Sequence, residues 1–119
     1  MTVLFILLHT VPSAAPVGLI VQTVSANNLS LSWERPNEID INGVLDRHDI
    51  DYYIDGEPGT LLTETVAGDT LSVTLSSLNS FTIYNVSVSA VTVGRGPIAS
   101  LVQRTSGMWA FVGRGGLEE

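Results

Sequence analysis

The stretch Leu78–Ala90, LNSFTIYNVSVSA, constrains this chain more than any other. Tyr84, Val86, Val88 and Ala90 recur at every second position. That period places all four on one face of a strand, because successive side chains in extended backbone point to opposite sides. Tyr84 stands where the strand begins, just after the turn residues Asn79 and Ser80. A tyrosine there can pack its ring inward while its hydroxyl bonds backbone a few residues upstream, closing a corner beside Leu78.

The rest of the chain repeats the pattern. Pro16 opens a first strand through Leu19 and Val21, and Ala26-Asn27-Asn28 turns it. Leu29, Leu31 and Trp33 alternate with Ser30 and Ser32, so Trp33 is expected at the centre of the core. Residues 37–43, NEIDING, read as a loop whose Asn42-Gly43 tolerates positive φ. After Leu45 a third strand carries His48, Ile50 and Tyr52 on one face and Asp49, Asp51 and Tyr53 on the other. Gly56-Glu57-Pro58-Gly59 reads as a turn, Leu61–Val66 as a weaker fourth strand, and Leu71, Val73 and Leu75 as a fifth. Leu78–Ala90 supplies the sixth. Gly94-Arg95-Gly96-Pro97 turns the chain into a seventh strand over Ile98–Thr105. Seven short strands with turns every eight to twelve residues imply an all-β, antiparallel, immunoglobulin-like sandwich, and no useful helical periodicity competes.

Two end segments differ in kind. Residues 1–14 hold the apolar run Val3–Leu8 followed by small residues, which fits a secretory leader or a boundary segment. The run is too short for a membrane span, which needs about 20 apolar residues. Residues 107–119, with Met108, Trp109 and Phe111, follow no strand pattern and read as a disordered or truncated tail. The domain is therefore expected over residues 15–106.

Composition removes several functions. The 119 residues suffice for one domain with its own core. The chain has no cysteine, which excludes disulfides, thiolate metal sites and cysteine nucleophiles. Its formal charge is −7, which disfavours nucleic acid as a partner.

These residues together resemble a fibronectin type III domain. The resemblance runs from about Ala15 to Thr105. It comprises Pro16, Leu29-x-Leu31-x-Trp33 closing on Pro36, Asn42-Gly43, Ile50 and Tyr52, Leu78 with Tyr84 six later, Val86-x-Val88-x-Ala90, and Gly94-x-Gly96-Pro97. Two departures show: His48 stands where an aromatic is usual, and Ser80-Phe81 where Pro-Gly is usual. The resemblance implies a non-catalytic module without cofactor, monomeric in itself, that binds a protein or spaces domains in an extracellular adhesion or receptor-type protein. Any link to a membrane would run through the parent protein. An accessory module of a secreted polysaccharide-degrading enzyme is the alternative.

Several residues are candidates for sites. Ten acidic residues fall between Glu34 and Asp69. Asp49 and Asp51 are expected on an exposed strand face with Tyr53, and Arg95 in the loop before the last strand; together they form a candidate partner surface. Calcium is disfavoured, because alternating carboxylates splay along a strand and no Asp-x-Asp-x-Asp-Gly loop occurs. His48 points inward beside Trp33 and Tyr52, and with His9 as the one other histidine it cannot build a metal cluster or a Ser-His-Asp triad. Asn28-Leu29-Ser30 and Asn85-Val86-Ser87 are glycosylation sequons, Asn28 in a turn and Asn85 facing away from the core.

Overall fold

Alternating side chains become two facing sheets in the computed structural model, which describes residues 10–107. Seven strands form: β1 (Val17–Val24), β2 (Leu29–Glu34), β3 (Arg47–Ile54), β4 (Glu57–Ala67), β5 (Ser72–Leu75), β6 (Ile83–Val91) and β7 (Arg95–Arg104). One sheet runs β1-β2-β5 and the other β4-β3-β6-β7, with every pairing antiparallel. Leu29, Leu31 and Trp33 from one sheet meet Ile50, Tyr52, Tyr84, Val86 and Val88 from the other, and Leu75 and Leu78 complete the core. Burying one such aliphatic side chain contributes about 1.5–3 kcal/mol. The corner forms as its spacing requires: the Asn79 amide N–H donates to the Tyr84 hydroxyl at 2.8 Å.

Three boundaries depart from the sequence expectation. β4 begins at Glu57, so Pro58 and Gly59 lie in the strand and the turn contracts to Asp55-Gly56, with Gly56 at φ 82°. Pro58 is tolerated because β4 is an edge strand, where a missing N–H need not break a ladder. β7 likewise begins at Arg95, placing Pro97 in the other edge strand of that sheet; the turn is closed by the Thr92 N–H to the Gly94 carbonyl at 3.2 Å. The loop after Pro36 contains one helical turn, α1 (Glu38–Ile41), ended by Asn42 at φ 62° and Gly43 at φ 147°.

Residues ahead of β1 are tied to the sandwich. The Thr10 and Ser13 N–H groups donate to the Asn42 and Asp40 carbonyls at 3.0 and 2.8 Å. The Thr92 hydroxyl donates to the Thr10 carbonyl at 2.6 Å, and the Asn42 amide to the Val11 carbonyl at 3.1 Å. Pro12 is buried against Gly96, where an added Cβ would come within 2.7 Å of it. Residues 10–14 of the expected leader thus pack on the domain. The apolar run Val3–Leu8 and the tail residues Met108, Trp109 and Phe111 lie outside the described residues.

Candidate interaction surface

β3 is an inner strand of its sheet, flanked by β4 and β6, and its alternation sends Asp49, Asp51 and Tyr53 to the outer face. Arg95 at the start of β7 reaches across β6 to both carboxylates. Its Nε donates to Asp49 Oδ2 at 2.9 Å, and its two terminal nitrogens grip Asp51 at 2.7 and 3.1 Å. The second grip is bidentate, the geometry that a planar guanidinium suits. Arg47 donates from Nε to the other Asp49 oxygen at 2.9 Å and from a terminal nitrogen to Asp46 at 3.1 Å. From β4, the Thr63 hydroxyl donates to Asp51 at 2.6 Å and that of Thr65 to Asp49 at 3.4 Å.

This arrangement corrects the expected exposure of Asp49. Only 5% of its side chain is accessible, because the two arginines lie over it. Burial pushes the Asp49 carboxyl up, but hydrogen bonds from Arg47 and Arg95 outweigh burial and hold it below the usual carboxylate range. Arg95 is raised by its hydrogen bonds to Asp51 and then Asp49. Asp49, Asp51 and Arg95 therefore come together as a clamp joining β3 to β7, with their charges turned on each other. Tyr53 stands apart from the clamp, half-buried, opposite Asn85 of β6.

The opposite side of β3 carries His48 into the core, fully buried, with its ring edge-on to Trp33 at 5.5 Å. Neither ring nitrogen of His48 nor the indole N–H of Trp33 closes a hydrogen bond. Burial pushes the His48 pKa down; the nearby Ala67 backbone favours the charged form without completing a bond to either nitrogen, and Arg35 opposes it. Of the two sequon asparagines, Asn28 is exposed in the β1–β2 turn. Asn85 is half-buried on the outer sheet face, where its amide donates to Asp55 at 2.7 Å.

Sequence reasoning did not reach an apolar pole at the end of the sandwich where the loops before β3 and β7 meet residues 10–13. There Val44 and Val93 are 77% and 68% exposed, with Val11 packed beside Gly94. Gly43, Val44, Asp46, Thr92 and Val93 line a shallow depression between the two loops. Isolated valines in loop sequence gave no signal, because only the fold brings them to one end. Phe81 was visible as a departure: it takes the place of a usual glycine, adopts φ 50°, stays exposed and carries Arg104 over its ring at 4.6 Å.

The family model for the fibronectin type III domain matches residues 14–104. The chain belongs to the fibronectin type III family. It is similar to neogenin of Rattus norvegicus, 32% identical over 91 residues, covering 76% of this chain and 7% of neogenin. Usherin of Rattus norvegicus is 35% identical over 88 residues, covering 71% of this chain and 2% of usherin. The chain thus spans a small fraction of these relatives. A solved myokine structure superposes with a TM-score of 0.67 at 26% identity, covering 80% of this chain and 98% of that one. Among the described residues no group of three or more His, Cys, Asp or Glu side chains is placed to hold a metal, and no helix is long and apolar enough to cross a membrane.

Proposed function

We propose that this fibronectin type III domain is a non-catalytic protein-interaction module of an extracellular adhesion or receptor-type protein. Its kinship with domains of neogenin and usherin carries the reading. Work by such a module is shape and surface complementarity, which needs exposed apolar anchors within a polar rim. The pole formed by Val44 and Val93, with Val11 beside Gly94, supplies the anchors, and Asp46 supplies rim charge. Asp49, Asp51 and Arg95 hold the sheet that presents the pole: the clamp has little charge left for a partner, so its contribution to binding is positional.

The test uses the purified chain as a competitor on cells that bind the parent ectodomain. The chain should displace the ectodomain, and Val44→Glu with Val93→Glu should abolish displacement without changing the melting temperature. Equal competition by both forms would remove the pole, and competition by neither would remove the interaction reading.

A further inference from the structure

We infer that Asn85 is an N-glycosylation site and that its first sugar lies across the outer face of the β4-β3-β6-β7 sheet. The inference rests on the extracellular reading above, since the modification requires passage through a eukaryotic secretory pathway.

The register of the sheet places Asn85 directly between Tyr53 of β3 and Val102 of β7. On the β4 side the register breaks between Tyr52 and Ile54, so the row ends at Tyr53. Side chains directly opposite in such pairs sit about 4.5–5.5 Å apart at Cβ. The next row along is polar throughout, with Thr63, Asp51, Ser87 and Ser100. Val102 is 59% exposed and Tyr53 is half-buried, so this row offers partly uncovered apolar surface on either side of a sequon asparagine. A sugar ring presents a C–H face that packs on aliphatic carbon and on the electron-rich face of a tyrosine ring. The row has the chemistry and the width for that contact.

Asn85 is also oriented for it. Its amide nitrogen donates to Asp55 Oδ1 at 2.7 Å. Attachment of a sugar replaces one of the two amide hydrogens and leaves the other, so the bond to Asp55 and the glycan are compatible. Ser87, the third residue of the sequon, lies on the same outer face, two positions along the strand. At Asn28 the exposed turn brings no comparable row: Leu29, which follows it, is fully buried, and the Ser30 hydroxyl pairs with that of Thr74 at 3.0 Å.

The experiment expresses the full chain behind a heterologous secretion leader in mammalian cells, so that site use is read independently of where the parent protein resides. Peptide mass spectrometry after enzymatic glycan release in heavy-oxygen water should mark Asn85, and Ser87→Ala, which leaves Asn85 and its bond to Asp55 in place, should remove that glycan. An unmodified Asn85 in the secreted chain overturns the site, whatever is found at Asn28. The secreted chain should also melt higher than the same chain made in bacteria, and that difference should shrink in Tyr53→Ser. A difference that Tyr53→Ser leaves unchanged overturns the packing across the row.

Discussion

Mild acid should loosen this domain through His48 before its carboxylates titrate. The imidazole is fully buried against Trp33 with neither nitrogen bonded, and burial lowers its pKa below the ordinary 6.5. In the unfolded chain the same histidine takes up a proton near pH 6.5. The sign follows: below that pH the unfolded state binds the extra proton, so stability falls as pH drops until the folded-state pKa is reached. The slope is at most about 1.4 kcal/mol per pH unit, which sets a ceiling of about 2 kcal/mol between pH 6.5 and 5. At roughly 4–8 °C per kcal/mol for a domain of this size, the melting temperature drops by up to about 8–16 °C. Asp49, whose pKa is held down, acts in a separate window: its stabilisation is present above about 3.8 and lost as pH falls further. The assay is thermal unfolding by far-UV circular dichroism at pH 7 and pH 5. His48→Leu keeps a similar volume and removes the titrating group, so its melting temperature should be nearly flat over that range. At pH 7 the same variant should match the parent or gain about 1 kcal/mol, because a buried unpaired polar group costs about 1–3 kcal/mol. A variant that keeps the parent's acid sensitivity would refute the assignment to His48.

Arg95→Met should cost about 1–2 kcal/mol in denaturant unfolding, since Asp49 keeps Arg47 while Asp51 loses its bidentate partner and Arg95 itself is partly solvent-screened. Trp33→Ala should cost about 3–5 kcal/mol as a large core deletion; a loss near zero would mean that Trp33 is not central to the core. Phe81→Gly should be more stable than Phe81→Ala by about 1 kcal/mol, because glycine alone adopts φ 50° without a Cβ penalty; the reverse order would mean that the position carries no strain. Removing residues 1–15 should cost about 1–3 kcal/mol through loss of the Thr10 and Ser13 bonds and of buried Pro12; unchanged unfolding would place the domain's start at Pro16.

The sequence carried the fold wherever one face is dry and the other wet. Leu29-Leu31-Trp33 and Tyr84-Val86-Val88 alternate because their strands have a core side, and the Tyr84 corner follows from one polar atom on an otherwise apolar ring. It was less legible at the edges: in β4 nine of eleven positions are exposed, so burial imposes no clear alternation and Pro58 reads as a turn. The clamp was half legible. Asp49, Asp51 and Arg95 stood out by charge, but β6 intervenes between β3 and β7, and only sheet order shows that the arginine reaches the aspartates. The apolar pole was not legible at all, since Val11, Val44 and Val93 come from three separate stretches of chain.

The most direct measurement is of where the parent protein displays this domain. An epitope inserted after Gly56, in the exposed β3–β4 turn, should stain on intact cells without permeabilisation. Staining that appears only after the membrane is opened would contradict the extracellular account.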